Sequence, residues 1–166
     1  MPSIMFVCTA NQFRSPLAAA CLLQGIHREN PDTEWIVESA GTWTTPGMPA
    51  ATSALQIANQ LRLAGLDCHL TRQLDQKMLD QFDLILVMEA GHKEAILTEF
   101  PSVCNRVYLL SELVDDFPYD IPDPVTPGID PGEVGRDLHR ILARGKKKIL
   151  QLAVTLSGLQ SSGEFH

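Results

Sequence analysis

Residues 82–88 (FDLILVM), near the middle of the chain, do most to limit the possible folds. Apart from Asp83 their side chains are apolar at odd and even positions alike, so both faces of a strand built from them need to be covered. A strand buried on both faces is typical of the centre of a parallel sheet with helices on either side. This run therefore predicts an α/β fold.

The rest of the chain alternates between strand and helix patterns. Short apolar runs at residues 3–7, 35–39 and 107–110 give three more strand candidates. Apolar residues recur at helical spacing in the segments between and after them, over residues 15–26, 50–66, 74–81, 92–100 and 133–156. Strands that alternate with helices predict a parallel sheet covered by helices on both faces.

Residues 117–132 interrupt this alternation with five prolines, which predicts a long irregular loop. Loops of that length inside a compact domain are usually functional or disordered. A chain of 166 residues is most simply one domain. We expect that domain to cover residues 1–156 and a C-terminal tail to cover residues 157–166.

Charge and cysteine usage restrict the partners. The net charge of −7 argues against nucleic acid, because binding to a phosphate backbone depends on basic patches. No apolar run approaches the roughly 18 residues that cross a bilayer, and no signal-peptide pattern occurs at the N-terminus. The four cysteines form no C-x-x-C pair, so neither a disulfide framework nor a zinc site is expected. These features predict a cytoplasmic protein without a nucleic-acid partner, a membrane partner, a metal or another cofactor.

The segment that follows the first predicted strand carries the chemistry. Ligands of open α/β sheets bind beyond the carboxyl ends of the strands, and residues 8–14 (CTANQFR) lie at such an end. Ser15 and Pro16 then begin a helix, since proline is favoured in a first helical turn. Backbone N–H groups of a loop between a strand and a helix N-terminus converge on one point, which suits a tetrahedral dianion.

Three side chains of this segment suit phosphoryl transfer. The positive field of the loop favours a thiolate at Cys8, and a thiolate beneath a bound phosphoryl group is a nucleophile. The planar guanidinium of Arg14 can hold two phosphoryl oxygens at once. Ser15 can donate a hydrogen bond to the cysteine sulfur and ease its departure. The pattern indicates covalent catalysis by cysteine.

Residues 7–16 (VCTANQFRSP) resemble the phosphate-binding loop of the low-molecular-weight protein tyrosine phosphatase family, whose signature is Cys, five residues, Arg and Ser. Matches at residues 39–42 (SAGT), 47–50 (GMPA), 69–72 (HLTR), 85–89 and 120–124 (DIPDP) extend the resemblance over nearly the whole chain. It implies a three-layer α/β/α fold in which a four-stranded parallel sheet has the order 2-1-3-4 and the phosphate-binding loop follows strand 1.

The resemblance also implies roles for residues around the loop. Ser39 would hydrogen-bond Asn11, a residue type that tolerates the left-handed backbone of a tight anion cradle. His69 and Arg72 would support the loop from behind. The residues expected to bind the phosphoryl group are Thr9, Ala10, Asn11, Gln12, Phe13 and Ser15.

The leaving group needs a proton donor, and the proline-rich loop offers one. Residue types alone leave Asp115, Asp116, Asp120 and Asp123 open as candidates. The resemblance selects Asp123, the aspartate of the family's Asp-Pro pair, as the general acid. The same carboxyl group would then activate water against the phosphocysteine.

The sequence departs from the family at four places. Ala10 stands where glycine is usual, which would strain the loop if that position has positive φ, and Phe13 replaces a second loop cysteine. Glu89 stands where aspartate is usual. Val125 and Thr126 replace the aromatic residues that normally form a wall for a phosphotyrosine ring.

We therefore expect a metal-independent phosphatase that acts on phosphorylated proteins through a phosphocysteine intermediate and binds phosphate-like anions in its loop. Phosphotyrosine is expected narrowly ahead of phosphoarginine. The latter is suggested because Thr9 follows the nucleophile, as in some bacterial phosphoarginine phosphatases. Two alternatives remain open, namely an arsenate reductase on the same fold, which needs a cysteine relay, and a weakened phosphate-binding regulatory module.

Overall fold

A computed structural model describes residues 1–163 of the chain. Its four strands form one parallel sheet in the order β2-β1-β3-β4, as predicted. The strands are β1 (Ser3–Cys8), β2 (Ile36–Gly41), β3 (Leu84–Val87) and β4 (Val107–Leu109). β1 and β3 lie in the middle of the sheet and are buried along their whole length, which explains why their sequences are apolar on both faces.

Six helices surround the sheet, α1 (Arg14–Glu29), α2 (Thr52–Leu61), α3 (Gln76–Gln81), α4 (Ala90–Glu99), α5 (Leu110–Asp115) and α6 (Pro131–Gly163). Alternate residues of β1 pack into two separate cores. Ile4 and Phe6 lie in the core that α1, α2, α5 and α6 complete, whereas Met5 and Val7 face α3 and α4. These two layers of helices give the expected three-layer α/β/α fold.

α2 and α5 both depart from the sequence-based prediction. α2 ends at Leu61, well before residue 66, because Arg62 takes a left-handed conformation with φ of 56° and its N–H bonds back to Asn59. α5 was not predicted, since residue 110 was assigned to the preceding strand. Leu110 and Val114 are buried in the larger core, and this packing favours a helix directly after β4.

The last helix is longer than expected. The predicted helix stopped at residue 156, but α6 continues through the start of the predicted tail as far as Gly163. The Gln160 side chain connects these extra turns to residues beside the sheet. With its amide nitrogen facing Asp83, it donates to Asp83 Oδ1 at 3.0 Å, and its amide oxygen accepts from Arg106. Residues 164–166 of the predicted tail lie outside the described residues. The division at residue 156 stays a prediction.

None of the helices in residues 1–163 combines the length and hydropathy needed to cross a bilayer.

The carboxyl ends of β1 and β3 define the place of the site. β1 ends at Cys8 and β3 leads to Glu89. The proline-rich loop returns over this edge of the sheet, where the Ile121 N–H donates to the Met88 carbonyl at 2.9 Å. Residues that are far apart in sequence therefore meet above β1.

Candidate active site

Cys8 is the last residue of β1 and Arg14 is the first residue of α1, so the five residues between them form a loop at a helix N-terminus. The Cys8 side chain is almost fully buried. Its Sγ accepts the Asn11 N–H at 3.3 Å and lies 3.0 Å from the Ser15 Oγ. Hydrogen-bond donors that point at sulfur stabilise a thiolate.

The other buried cysteine has a different environment. Cys21 lies on α1 within the larger core, and burial raises the pKa of its thiol to about 12. All four cysteines, Cys8, Cys21, Cys68 and Cys104, are free. Cys8 is therefore the cysteine with surroundings that suit a nucleophile.

Asn11 organises the loop. It has the left-handed backbone expected of it, with φ of 59°. Its Nδ2 donates to Ser15 Oγ at 2.8 Å and to Ser39 Oγ at 3.0 Å, and its Oδ1 accepts the Arg72 N–H at 2.9 Å. His69 Nε2 lies 2.7 Å from the Asn11 carbonyl oxygen. The three residues expected behind the loop thus all meet at Asn11.

Arg72 supports Asn11 through its backbone N–H, whereas the Arg72 guanidinium pairs with Glu38.

Two cavities flank the loop. The pair of Arg72 and Glu38, together with His69, lines a cavity of about 330 Å³ behind it. A smaller cavity of about 110 Å³ lies on the other side, and Cys8 lines this one. The chemistry places the candidate site in the smaller cavity.

The substitution of alanine for glycine at residue 10 does not strain the loop. The non-glycine residues of positive φ in the described chain are Asn11, Arg62 and Asp116, so Ala10 does not need the left-handed region. Ala10 is exposed at the cavity and Gln12 is half-buried there, whereas Phe13 is buried.

Arg14 is buried, with 2% of its surface exposed, and it joins the loop to the proline-rich segment. Its Nη1 donates to the Ile121 carbonyl at 2.8 Å and lies 3.5 Å from Glu89 Oε1. Its Nη2 lies 3.4 Å from Asp123 Oδ2. A buried guanidinium with two carboxylates beside it is held firmly at the mouth of the loop.

The four candidate acids have four different environments. Asp123 lies in the small cavity with Cys8, and its Oδ1 accepts the Val125 N–H at 3.2 Å. Asp120 Oδ1 accepts the Ala90 N–H at the start of α4 at 2.8 Å, so it caps a helix.

The other two candidates pair with α6. Asp115 forms a bidentate pair with Arg144, which lowers the pKa of its carboxyl to about 2. Asp116 pairs with Lys148 at 3.3 Å. Of the four carboxyl groups, that of Asp123 is therefore the one beside both the nucleophile and Arg14.

Sequence reasoning did not single out His92, which is the first residue of the helix predicted over 92–100. The residue is 5% exposed, and its Nε2 lies 2.8 Å from Thr9 Oγ1. α4 begins at Ala90, two residues earlier than predicted, so His92 occupies the third helical position and forms a capping box with Glu89. The sequence carries little signal for this arrangement, because Glu89-x-x-His92 does not match the usual capping-box pattern of Ser or Thr followed three residues later by Glu or Gln.

A scan against family models matches residues 3–161 to the low molecular weight phosphotyrosine protein phosphatase family. The chain is 32% identical over 148 residues to the protein-arginine-phosphatase of Geobacillus stearothermophilus, covering 88% of this chain and 95% of that protein. It is 35% identical over 122 residues to the low molecular weight protein-tyrosine-phosphatase Wzb of Escherichia coli (strain K12), covering 74% and 77%. The fold matches a crystal structure of a YwlE mutant from Bacillus subtilis with a TM-score of 0.82 and 29% identity, over 90% of this chain and 99% of that one.

Proposed function

The chain belongs to the low molecular weight phosphotyrosine protein phosphatase family and is a cysteine phosphatase for phosphotyrosine or phosphoarginine, and we propose that Cys8, Arg14 and Asp123 carry out its reaction. The observation that supports this most is the convergence of three elements. The Cys8 sulfur, the Arg14 guanidinium and the Asp123 carboxyl group all line one cavity of about 110 Å³.

The phosphoryl group binds in the loop above Cys8. Backbone N–H groups of residues 9–15 and the Arg14 guanidinium surround its oxygens, and these donors also stabilise the charge that develops in the transition state. The helix N-terminus at Arg14 adds positive potential without a further side chain.

In the first step, the Cys8 thiolate attacks phosphorus in line with the leaving group. An S–P bond forms, and the P–O or P–N bond to the protein substrate breaks. Asp123 donates its proton to the departing atom, since the phenolate oxygen of tyrosine or the guanidine nitrogen of arginine is a poor leaving group without one.

In the second step, water attacks the phosphocysteine. Asp123, now a carboxylate, takes a proton from the water, and Cys8 leaves as a thiolate. Ser15 Oγ lies 3.0 Å from the sulfur and accepts a hydrogen bond from Asn11, and its own hydrogen can turn from the Ala40 carbonyl, 3.4 Å away, to the departing thiolate. The cycle ends with inorganic phosphate in the loop.

Among the two substrate classes we favour phosphoarginine. Val125, which follows Asp123-Pro124, is 85% exposed, and the aromatic residue that lines the cavity is the buried Phe13. The mouth thus offers no aromatic wall on the acid loop. The Asp123 side chain does line it, and a carboxylate there complements a guanidinium as it is released.

The arsenate reductase alternative receives less support from the cysteines. A relay needs thiols that reach the nucleophile, but Cys21 is buried in the core, and Cys68 and Cys104 are exposed. The regulatory-module alternative does not explain the hydrogen bonds to the Cys8 sulfur, because a protein that only binds anions needs no thiolate.

The test is steady-state hydrolysis of para-nitrophenyl phosphate without added metal, with wild type and Cys8→Ser compared. Cys68→Ser, which changes an exposed thiol outside the loop, is the matched control. We expect turnover in wild type and in the control and none in Cys8→Ser. Turnover that survives in Cys8→Ser would remove Cys8 as the nucleophile. The ratio of kcat/KM for phosphoarginine and phosphotyrosine peptides of the same sequence then tests the substrate class.

A further inference from the structure

His92 lies between the start of α4 and the phosphate-binding loop, and its hydrogen bonds fix the position of its proton. The ring Nδ1 accepts the Glu89 N–H at 3.1 Å. A ring nitrogen that accepts a hydrogen bond carries no proton, so the neutral ring has its proton on Nε2.

The surroundings of the ring agree with a neutral state. Burial and the nearby Arg14 cation lower the pKa of His92 to about 4, although Asp120 and Asp123 act in the opposite direction. The Nε2 lies 3.1 Å from Glu89 Oε2, a contact that by itself would favour a charged ring. The bond at Nδ1 decides between these influences, because a charged ring would place two N–H groups head to head.

This proton position determines the role of the Thr9 hydroxyl. Thr9 Oγ1 lies 2.8 Å from His92 Nε2 and must accept the Nε2–H, so its own hydrogen is free for another acceptor. Within residues 1–163 Thr9 Oγ1 has no second hydrogen-bond partner. The Thr9 backbone is also held, since its carbonyl accepts the Trp43 N–H at 3.1 Å.

Glu89 links this pair to the guanidinium that closes the loop. Its Oε2 contacts His92 and its Oε1 lies 3.5 Å from Arg14 Nη1. A chain of contacts therefore runs from Thr9 through His92 and Glu89 to Arg14, and we call it the Thr9–Arg14 arc. The arc begins at Thr9, the residue directly after Cys8, and ends at the Arg14 guanidinium, so both of its ends belong to the loop segment that is proposed to bind the phosphoryl group.

We propose that His92 is a positioning residue that acts through Thr9, holding the threonine side chain so that its hydroxyl hydrogen is donated to the phosphoryl group in the loop. The inference rests on the proposed function of the loop. It goes beyond that function because neither the loop residues nor the acid require a histidine on α4.

A purely structural role as a helix cap is the competing explanation, and two substitutions separate the roles. In His92→Asn, the side-chain oxygen reaches about as far as Nδ1 and can still accept the Glu89 N–H, but the side chain is too short for Thr9. In His92→Gln, the side-chain nitrogen reaches about as far as Nε2 and can donate to Thr9 Oγ1.

We expect His92→Asn to lower kcat/KM for para-nitrophenyl phosphate by about tenfold or more, the usual cost of losing one donor to a charged group, with a thermal midpoint near that of wild type. His92→Gln should restore most of this loss. Thr9→Val should match the loss in His92→Asn, and the double variant should lose no more than either single variant, because both changes remove the same donor.

Three results would overturn the proposal: equal activity of the Asn and Gln variants, additive losses in the double variant, or wild-type kinetics of Thr9→Val. Vanadate affinity of the same variants gives a readout that does not depend on turnover, and it should weaken in His92→Asn and Thr9→Val but not in His92→Gln. If wild type itself does not turn over, the proposed function fails, and the vanadate series still decides whether His92 acts through Thr9.

Discussion

Asp123 Oδ2 lies 3.4 Å from Arg14 Nη2, so the proposed acid is paired with the proposed phosphate clamp. An arriving phosphoryl group competes with Asp123 for the guanidinium. The Arg14 Nη1 keeps the Ile121 carbonyl at 2.8 Å, which holds the acid loop near the site during this exchange. We therefore expect substrate binding and proton transfer to be coupled through the Arg14 cation.

Replacing the proposed acid should affect substrates unequally. In Asp123→Asn the leaving group departs without a proton, so kcat should fall by about a hundredfold or more for aryl phosphates with poor leaving groups and much less for good ones. A series of aryl phosphates of graded leaving-group basicity measures this. Asp116→Asn, which removes a carboxyl group that pairs with Lys148, is the control and should keep the wild-type slope. A small and uniform loss in Asp123→Asn would point to a different acid.

The Ser15 hydroxyl should act mainly in the second step. Ser15→Ala removes a group 3.0 Å from the Cys8 sulfur, so the phosphocysteine should hydrolyse about tenfold more slowly while its formation changes less. Rapid mixing with para-nitrophenyl phosphate should then show a burst of product before the steady state. Ser102→Ala, which lies outside the loop, should give no new burst. Slower formation of the phosphocysteine with no burst would contradict this role.

Gly41, at the end of β2, should be required for the shape of the loop. A Cβ at this position would lie 2.5 Å from the Thr9 carbonyl oxygen, a backbone atom that cannot turn away as a flexible side chain can. Gly41→Ala should therefore reduce both turnover and vanadate affinity by displacing Thr9.

Gly91→Ala on α4 is the matched control for this substitution. A Cβ there meets no atom within 4 Å, and the change should leave turnover unaltered and raise the unfolding free energy by about 0.5–1 kcal/mol. Wild-type kinetics of Gly41→Ala would show that the loop tolerates movement of Thr9.

The pair of Asp115 and Arg144 should contribute stability that depends on pH. The bidentate hydrogen bonds from Arg144 lower the pKa of the Asp115 carboxyl from 3.8 to about 2. A lowered carboxyl pKa stabilises the folded state above the unfolded value of 3.8, and this contribution disappears as the pH falls toward 2.

Asp115→Asn should thus lower the unfolding free energy at pH 7 by about 0.5–1 kcal/mol, and the difference from wild type should shrink below pH 4. Urea unfolding at several pH values measures the two curves. Asp137→Asn, which breaks an exposed pair with Arg140, should have a smaller effect. A difference that stays constant from pH 7 to pH 3 would show that the ion pair is not its source.

The parts of the fold and the site that depend on residues close together in the sequence could be predicted from the sequence. The parallel sheet follows from local apolar patterns, and its order 2-1-3-4, implied by the family resemblance, agrees with the structure. The anion-binding loop follows from a strand, a short turn and a helix start that are consecutive in the chain. Asn11 has the left-handed backbone that its residue type allows.

Contacts between distant segments were decided only by the tertiary structure. Arg14 meets Ile121 across 107 residues, and Thr9 meets His92 across 83. Residue type alone cannot distinguish Asp123 from its three neighbouring aspartates, nor show that Ala10 avoids positive φ. These outcomes depend on how the acid loop and α4 pack against the carboxyl end of the sheet, and that packing is set by the two cores rather than by any local pattern. The sequence by itself thus determined the loop and its candidate nucleophile, because both depend on consecutive residues, whereas the tertiary structure decided which side chains surround them.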